Sequence, residues 1–276
     1  LRAGMLDRAE ASLNQVGDGR YLIPAKVALL EMYQIEKDWR KAIIAASELA
    51  QLEKKDYQDQ IAQFDCEIAL EAMRRQDLAA SHLALDHAFI AVPEHIRATI
   101  LRGEVYILGQ RPKEAITTWK LIEEKYPAFL HLVADQWILA HQELGQESVG
   151  LERLVAQLPE HGWGELLDIV YKHVLRLQGA AAAELLMSQV LLKTPTLTVL
   201  AKRFEAQYQL ALAREAQISA TDLKASVDLL KKRTSSLARY TCSSCGFRAK
   251  RFYWQCPGCN HWDVYSPKRS EGLAGL

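Results

Sequence analysis

A chain of 276 residues, 49% hydrophobic and 25% charged, is ordinary for a globular protein and long enough to bury a sizeable core. Its 34 Lys/Arg balance 34 Asp/Glu overall, but from Lys231 onward nine basic residues meet two acidic ones, so that end carries +7 and residues 1–230 carry −7. No run of 18 apolar residues and no signal-peptide pattern occurs, so no stretch reads as a bilayer-spanning helix.

The basic end can meet nucleic acid, an anionic membrane surface, or the acidic part of its own chain. At the other end, Leu1 is not Met, and LRAGMLDRAEASL reads as the middle of a repeating pattern. The expectation is therefore a chain cut at its N-terminus.

The pattern recurs. GMLDRAEASL at Gly4–Leu13 is echoed at Lys37–Ala46, Gln76–Leu85, Gln110–Trp119, Gly145–Leu154 and Gly179–Met187. A small residue holds the same place each time: Ala9, Ala42, Ser81, Ala115, Gly150 and Ala183, at intervals of 33, 39, 34, 35 and 33. Four positions on stands a bulkier one (Leu13, Leu85, Trp119, Leu154, Met187), except at Ala46. A period near 34 with this grammar resembles the tetratricopeptide repeat, a helix–turn–helix unit. The small residue lets the two helices approach and the large one fills the space between neighbours. The interval of 39 places an insertion near Lys54–Gln60.

Periodicity predicts helix from Leu22 to Leu237. The first helices of the pairs fall at Pro24–Glu36, Ile61–Arg75, His95–Leu108, Ala128–Leu144 and Glu165–Leu177. Stacked pairs leave a groove lined by these helices. Glu31, Gln34, Gln63, Arg97, Glu104, Asp135 and Gln142 map to that face and are the candidate partner-binding residues. Within the helical run, Cys66 reads as a buried inert thiol. His82, His87 and His95 have no carboxylate or cysteine at ligand spacing and read as surface or packing residues. No phosphate-binding glycine loop, H-E-x-x-H or G-x-S-x-G occurs, and the chain is expected not to be an enzyme.

Four of the five cysteines lie near the C-terminus as Cys242-x2-Cys245-x10-Cys256-x2-Cys259. Each C-x-x-C turn aims two thiolates at one ion, and two turns close a tetrahedron. Soft thiolates select zinc or iron. Gly246 and Asn260 follow the two pairs, where positive φ is cheapest for such residues. A disulfide framework would need an oxidising compartment and more cysteines, and a redox C-x-x-C would stand beside a βαβ pattern. His261, near Cys259, is not needed once four thiolates are in place. A full thiolate shell has no open position for water or substrate, so the site is of a structural type. Short aromatic strands are expected at Tyr240–Cys242, Arg251–Gln255 and Trp262–Tyr265. Arg248, Lys250, Arg251, Lys268 and Arg269 interleave with the rings, which also fits a zinc ribbon that binds nucleic acid. Against this, a module so short needs its rings for its own core and for contact with the repeats.

The pairing of such repeats with C-x-x-C-G-F…Y-W-x-C-P-x-C resembles the lipopolysaccharide assembly protein B family of Gram-negative bacteria. The resemblance is most specific at Arg239–Phe247, at Tyr253–Cys259 and at Gly272-Leu273; in the repeats it is carried by Leu6–Glu10, Trp39–Ile43 and Cys66–Leu70. It implies a mainly α fold: a tetratricopeptide-repeat α-solenoid over residues 1–236, then a small four-cysteine rubredoxin-like β-ribbon over 237–276. It implies Cys242, Cys245, Cys256 and Cys259 as ligands of one iron or zinc ion. It also implies a non-enzymatic adaptor on the cytoplasmic face of the inner membrane, held by an N-terminal anchor missing here. Its protein partners would be a membrane-bound AAA+ metalloprotease, the lipid A deacetylase whose degradation it promotes, and a lipopolysaccharide-sensing inner-membrane protein; no nucleic acid is expected. Rubredoxins separate their knuckles by many more than ten residues, so "rubredoxin-like" here implies geometry and not electron transfer.

Overall fold

A computed structural model describes residues 3–17, 19–161, 164–215, 217–235 and 240–266. Among these are twelve α-helices, one 3-10 helix and two short strands, in two compact units, Leu1–Trp119 and Lys120–Leu276.

The first unit holds α1 (Ala3–Asn14), α2 (Leu22–Glu36), α3 (Trp39–Glu53), α4 (Gln58–Arg74), α5 (Leu78–Ala91), α6 (Ile96–Leu108) and most of α7 (Pro112–Lys125). Side chains fix several starts: Asp38 accepts from Lys41 N, Asp77 from Ala80 N and His95 from Ala98 N. Lys37 and Lys54 end α2 and α3 in the left-handed region. The expected insertion lies where α3 ends and α4 begins, as a loop after Glu53 and added residues at the start of α4.

Consecutive helices pack in pairs, α2 on α3 and α4 on α5, and α4 also packs on α6, two elements away. The repeat grammar explains why. Ala42, Ser81 and Ala115 are fully buried, as are Leu85 and Trp119 four positions on from two of them. α6 meets α7 closely. A Cβ built on Gly103 would lie 2.1 Å from Trp119 Nε1, and that indole nitrogen donates to the Ile100 carbonyl at 3.1 Å. Only glycine lets the helix meet an indole at that distance.

The second unit holds a 3-10 helix (Pro127–Leu132), α8 (Ala134–Glu143), α9 (Glu147–His161), α10 (Glu165–Lys193), α11 (Leu197–Ala213), α12 (Gln217–Ser235), β1 (Tyr240–Thr241) and β2 (Arg248–Ala249). Here again a small residue permits contact: Gly150 lies against the His141 ring, and its carbonyl accepts from Trp137 Nε1.

Three sequence expectations are corrected. Ala128–Leu144 is not one helix. Pro127 cannot donate to the ladder of α7, and the chain resets through a 3-10 helix before α8. By contrast, the break expected near residue 178 is present: within Glu165–Lys193 two helical segments meet across a kink at Gly179, whose φ of 85° and ψ of 177° only glycine tolerates. Finally, the strand expected at Arg251–Gln255 is a single bridge, Gln255 to Trp262, and the ladder instead pairs β1 with β2 through Tyr240–Ala249 and Thr241–Arg248. The left-handed turn at Gly246 returns the chain at once, so the second strand starts earlier than its aromatic content suggests. Trp262–Tyr265, also expected as a strand, contributes only single bridges, Trp262 to Gln255 and Tyr265 to Cys242.

The expected boundary at 236/237, together with Arg239, Lys268, Arg269 and Gly272-Leu273, lies outside the described residues. No helix among the described residues is long and apolar enough to cross a membrane.

Candidate metal centre

The two cysteine turns are near copies of each other. Gly246 N donates to the Cys242 carbonyl at 3.0 Å, and Asn260 N to that of Cys256 at 2.8 Å. Cys242 N donates to the Phe247 carbonyl, and Cys256 N to that of His261. Gly246 and Asn260 take φ of 75° and 58°, the left-handed geometry expected of them. Backbone N–H groups also point at sulfur, from Cys245 to Cys242 Sγ and from Gly258 to Cys256 Sγ, both at 3.4 Å. Such donors stabilise thiolate over thiol.

All four sulfurs lie within 4.8 Å of one another. Cys242 Sγ is 3.8 Å from Cys259 Sγ, and Cys245 Sγ is 3.7 Å from Cys256 Sγ. A tetrahedron with metal–sulfur bonds of about 2.3 Å has edges of about 3.8 Å, so the donor set fits one four-coordinate ion. Cys242 and Cys256 are buried, Cys259 is half-buried and Cys245 is exposed. The Tyr265 hydroxyl reaches Cys256 Sγ at 3.5 Å. His261 lies outside the cluster, its Nδ1 3.1 Å from Ser244 Oγ.

The ribbon's rings are used in packing. Tyr240 and Tyr265 are buried with Cys242 and Cys256, and Phe252 packs on them. This core is seated on the 3-10 helix of the same unit. Phe129 stacks on Trp254 at 5.8 Å between ring centroids and meets Phe252 edge-on at 5.9 Å. His131 meets Phe252 edge-on and stacks on Tyr240. The Tyr240 hydroxyl and His131 Nε2 are 3.2 Å apart. Sequence reasoning anticipated rings facing the repeats but missed Phe129 and His131. Their one sequence signal is Pro127, which interrupts the helical period and frees the next residues to point elsewhere. Arg248, Lys250 and Arg251 are exposed, and Arg251 lies over the Tyr253 ring.

The seven groove candidates do not share one environment. In the first unit, Glu31 is exposed, Gln34 is half-buried and donates to the Leu30 carbonyl, and Gln63 and Arg97 are buried. The Arg97 guanidinium donates to Gln63 Oε1 at 2.8 Å and to Glu67. Glu104 is half-buried, and burial pushes its carboxyl up to about 7 against the pull of Arg97. In the second unit, Asp135 and Gln142 are exposed, and Asp135 Oδ1 lies 3.4 Å from His173 Nε2. The lone cysteine and the histidines are placed as expected. Cys66 is fully buried beside His95 Nδ1, His95 caps α6, His82 packs on the Tyr106 ring, and His87 is exposed.

Comparison with known proteins agrees with the geometry. Residues 240–264 match a family model described as a rubredoxin metal binding domain. The chain is homologous over its full length to curated proteins named lipopolysaccharide assembly protein B. With that of Escherichia coli K12 it is 29% identical over 277 aligned residues, spanning 100% of this chain and 70% of that protein. With that of Haemophilus influenzae it is 26% identical over 271, spanning 96% and 66%.

Proposed function

We propose, from its full-length likeness to lipopolysaccharide assembly protein B, that this protein is a non-enzymatic regulator of lipopolysaccharide assembly that works as an adaptor. The observation that carries this reading is that the likeness spans helical pairs and cysteine ribbon together. Cys242, Cys245, Cys256 and Cys259 hold one zinc or iron ion. The ion supplies the cross-link that a ribbon this small needs to stay folded. The tetratricopeptide-type helical pairs grip protein partners. These are a membrane-bound AAA+ metalloprotease, the lipid A deacetylase and a lipopolysaccharide-sensing inner-membrane protein, met at the cytoplasmic face of that membrane. Two ordered surfaces, helices and ribbon, raise the effective concentration of deacetylase at the protease.

The rings that would stack on bases in a nucleic-acid ribbon are turned instead to the 3-10 helix, which supports the protein-partner reading. The test is replacement in cells of the relative's gene by one carrying this sequence, with and without Cys242→Ser, followed by measurement of deacetylase half-life. The intact sequence should shorten that half-life and Cys242→Ser should not. Equal half-lives with and without the intact chain would remove the adaptor reading.

A further inference from the structure

The ribbon's core and its seat are built from the same residues. The buried core is Tyr240, Cys242, Ala249, Cys256 and Tyr265. Two of these five are candidate ligands, so without an ion little remains to hold the rest in register. The rings that reach the 3-10 helix hang directly from that core. Tyr240 stands two residues before Cys242, and Trp254 two before Cys256. Phe252 packs edge-on against Tyr240 and Trp254 and lies 6.5 Å from Tyr265, whose hydroxyl touches Cys256 Sγ. A continuous path of contacts therefore runs from the sulfurs through Tyr265 and Phe252 to Phe129 and His131.

We infer that metal loading of the four cysteines and seating of the 3-10 helix are one linked equilibrium. A loaded ribbon presents Tyr240, Phe252 and Trp254 in the arrangement that holds Phe129 and His131. An empty ribbon loses that arrangement and releases Pro127–Leu132, exposing two aromatic side chains and loosening the start of α8. The helical part of the second unit thereby senses metal supply, whichever partner it serves. Linkage is reciprocal, so whatever unseats the ribbon weakens metal binding by the same factor.

The test uses Phe129→Ala, which lies outside the ribbon and touches no sulfur. Zinc affinity is measured by competition with a chromophoric chelator, and hydrogen exchange is followed at residues 127–133 with zinc and after its removal. Loss of two aromatic contacts should weaken zinc binding about tenfold. In the unsubstituted chain, zinc removal should speed exchange at 127–133 by a similar factor, while circular dichroism stays helical. His131→Gln, which disturbs the Tyr240 contact, the edge of Phe252 and the bond to the Ala128 carbonyl but leaves the Phe129 contacts in place, should give a smaller loss in the same direction. It carries the affinity test if Phe129→Ala fails to fold. Unchanged protection of 127–133 after zinc removal, or zinc affinity equal to the unsubstituted chain in the folded variants, would overturn the linkage.

Discussion

His131 and Tyr240, 109 positions apart in the chain, meet through stacked rings and a hydrogen bond between the Tyr240 hydroxyl and His131 Nε2. His131 Nδ1 lies 3.0 Å from the Ala128 carbonyl, which can only accept, so Nδ1 carries the proton. In the neutral ring Nε2 is then the acceptor, and the Tyr240 hydroxyl donates to it. Burial favours that neutral ring.

A pH dependence follows. Burial lowers the His131 pKa below its ordinary value of 6.5, against the opposing pull of Glu165. The seated state therefore binds fewer protons than the unseated one. Seating is fully stable above the ordinary imidazole value and weakens as pH falls below it, until the lowered pKa is passed. Trp254 fluorescence in the zinc-loaded protein should report loosening as pH falls below the ordinary imidazole value of about 6.5. His131→Gln should flatten that step. An identical step in the variant would show that another group is responsible.

Thiol accessibility ranks the five cysteines. Cys245 is exposed, while Cys66 has no exposed surface. Alkylation of the native protein, read by peptide mass spectrometry, should modify Cys245 first and leave Cys66 untouched until denaturant is added. Zinc removal should speed reaction at all four ribbon cysteines and leave Cys66 unchanged.

The closeness of Gly103 to Trp119 gives a stability prediction. Adding one methyl at Gly103 forces a fully buried indole to move, because its ring atoms lie 2.1 to 2.7 Å from the new Cβ. Overpacking of this kind costs about 1–3 kcal/mol, more than the roughly 1 kcal/mol that alanine gains over glycine in a helix. Gly103→Ala should lower the urea midpoint. Gly17→Ala, with nothing within 4 Å of its new Cβ, should not.

The small residue at each repeat position was legible because close helix packing leaves a mark every 34 residues or so: Ala42, Ser81, Ala115 and Ala183 are all fully buried. The four sulfurs were legible because a tetrahedral ion dictates cysteine spacing. The seat on Phe129 and His131 was not, since a contact between residues 129 and 254 leaves no local period. Nor was the depth of Gln63 and Arg97. Helical phase shows which side of a helix a residue occupies, but not whether a neighbouring helix covers that side. In the first unit α4 packs on α6, and the polar groups between them satisfy one another.

That covering changes what substitutions on the presumed groove would report. Arg97 is 5% exposed and Gln63 is fully buried, so Arg97→Ala strands the Glu67 carboxylate and one side of an amide. Breaking a largely buried pair by removing one partner costs about 2–4 kcal/mol. The loss should appear as a lower urea midpoint with no partner present. Replacing Arg97 and Glu67 together by methionine should recover much of it, because no charge is then left unpaired. Gln142→Ala, on an exposed position of the second unit, should change stability by less than about 0.5 kcal/mol. A weaker grip on a protein partner in Arg97→Ala therefore counts as recognition only if it exceeds the loss expected from the unfolded fraction, whereas in Gln142→Ala any weakening is recognition directly. Arg97→Ala as stable as the unsubstituted chain would show that the buried pair contributes nothing to folding.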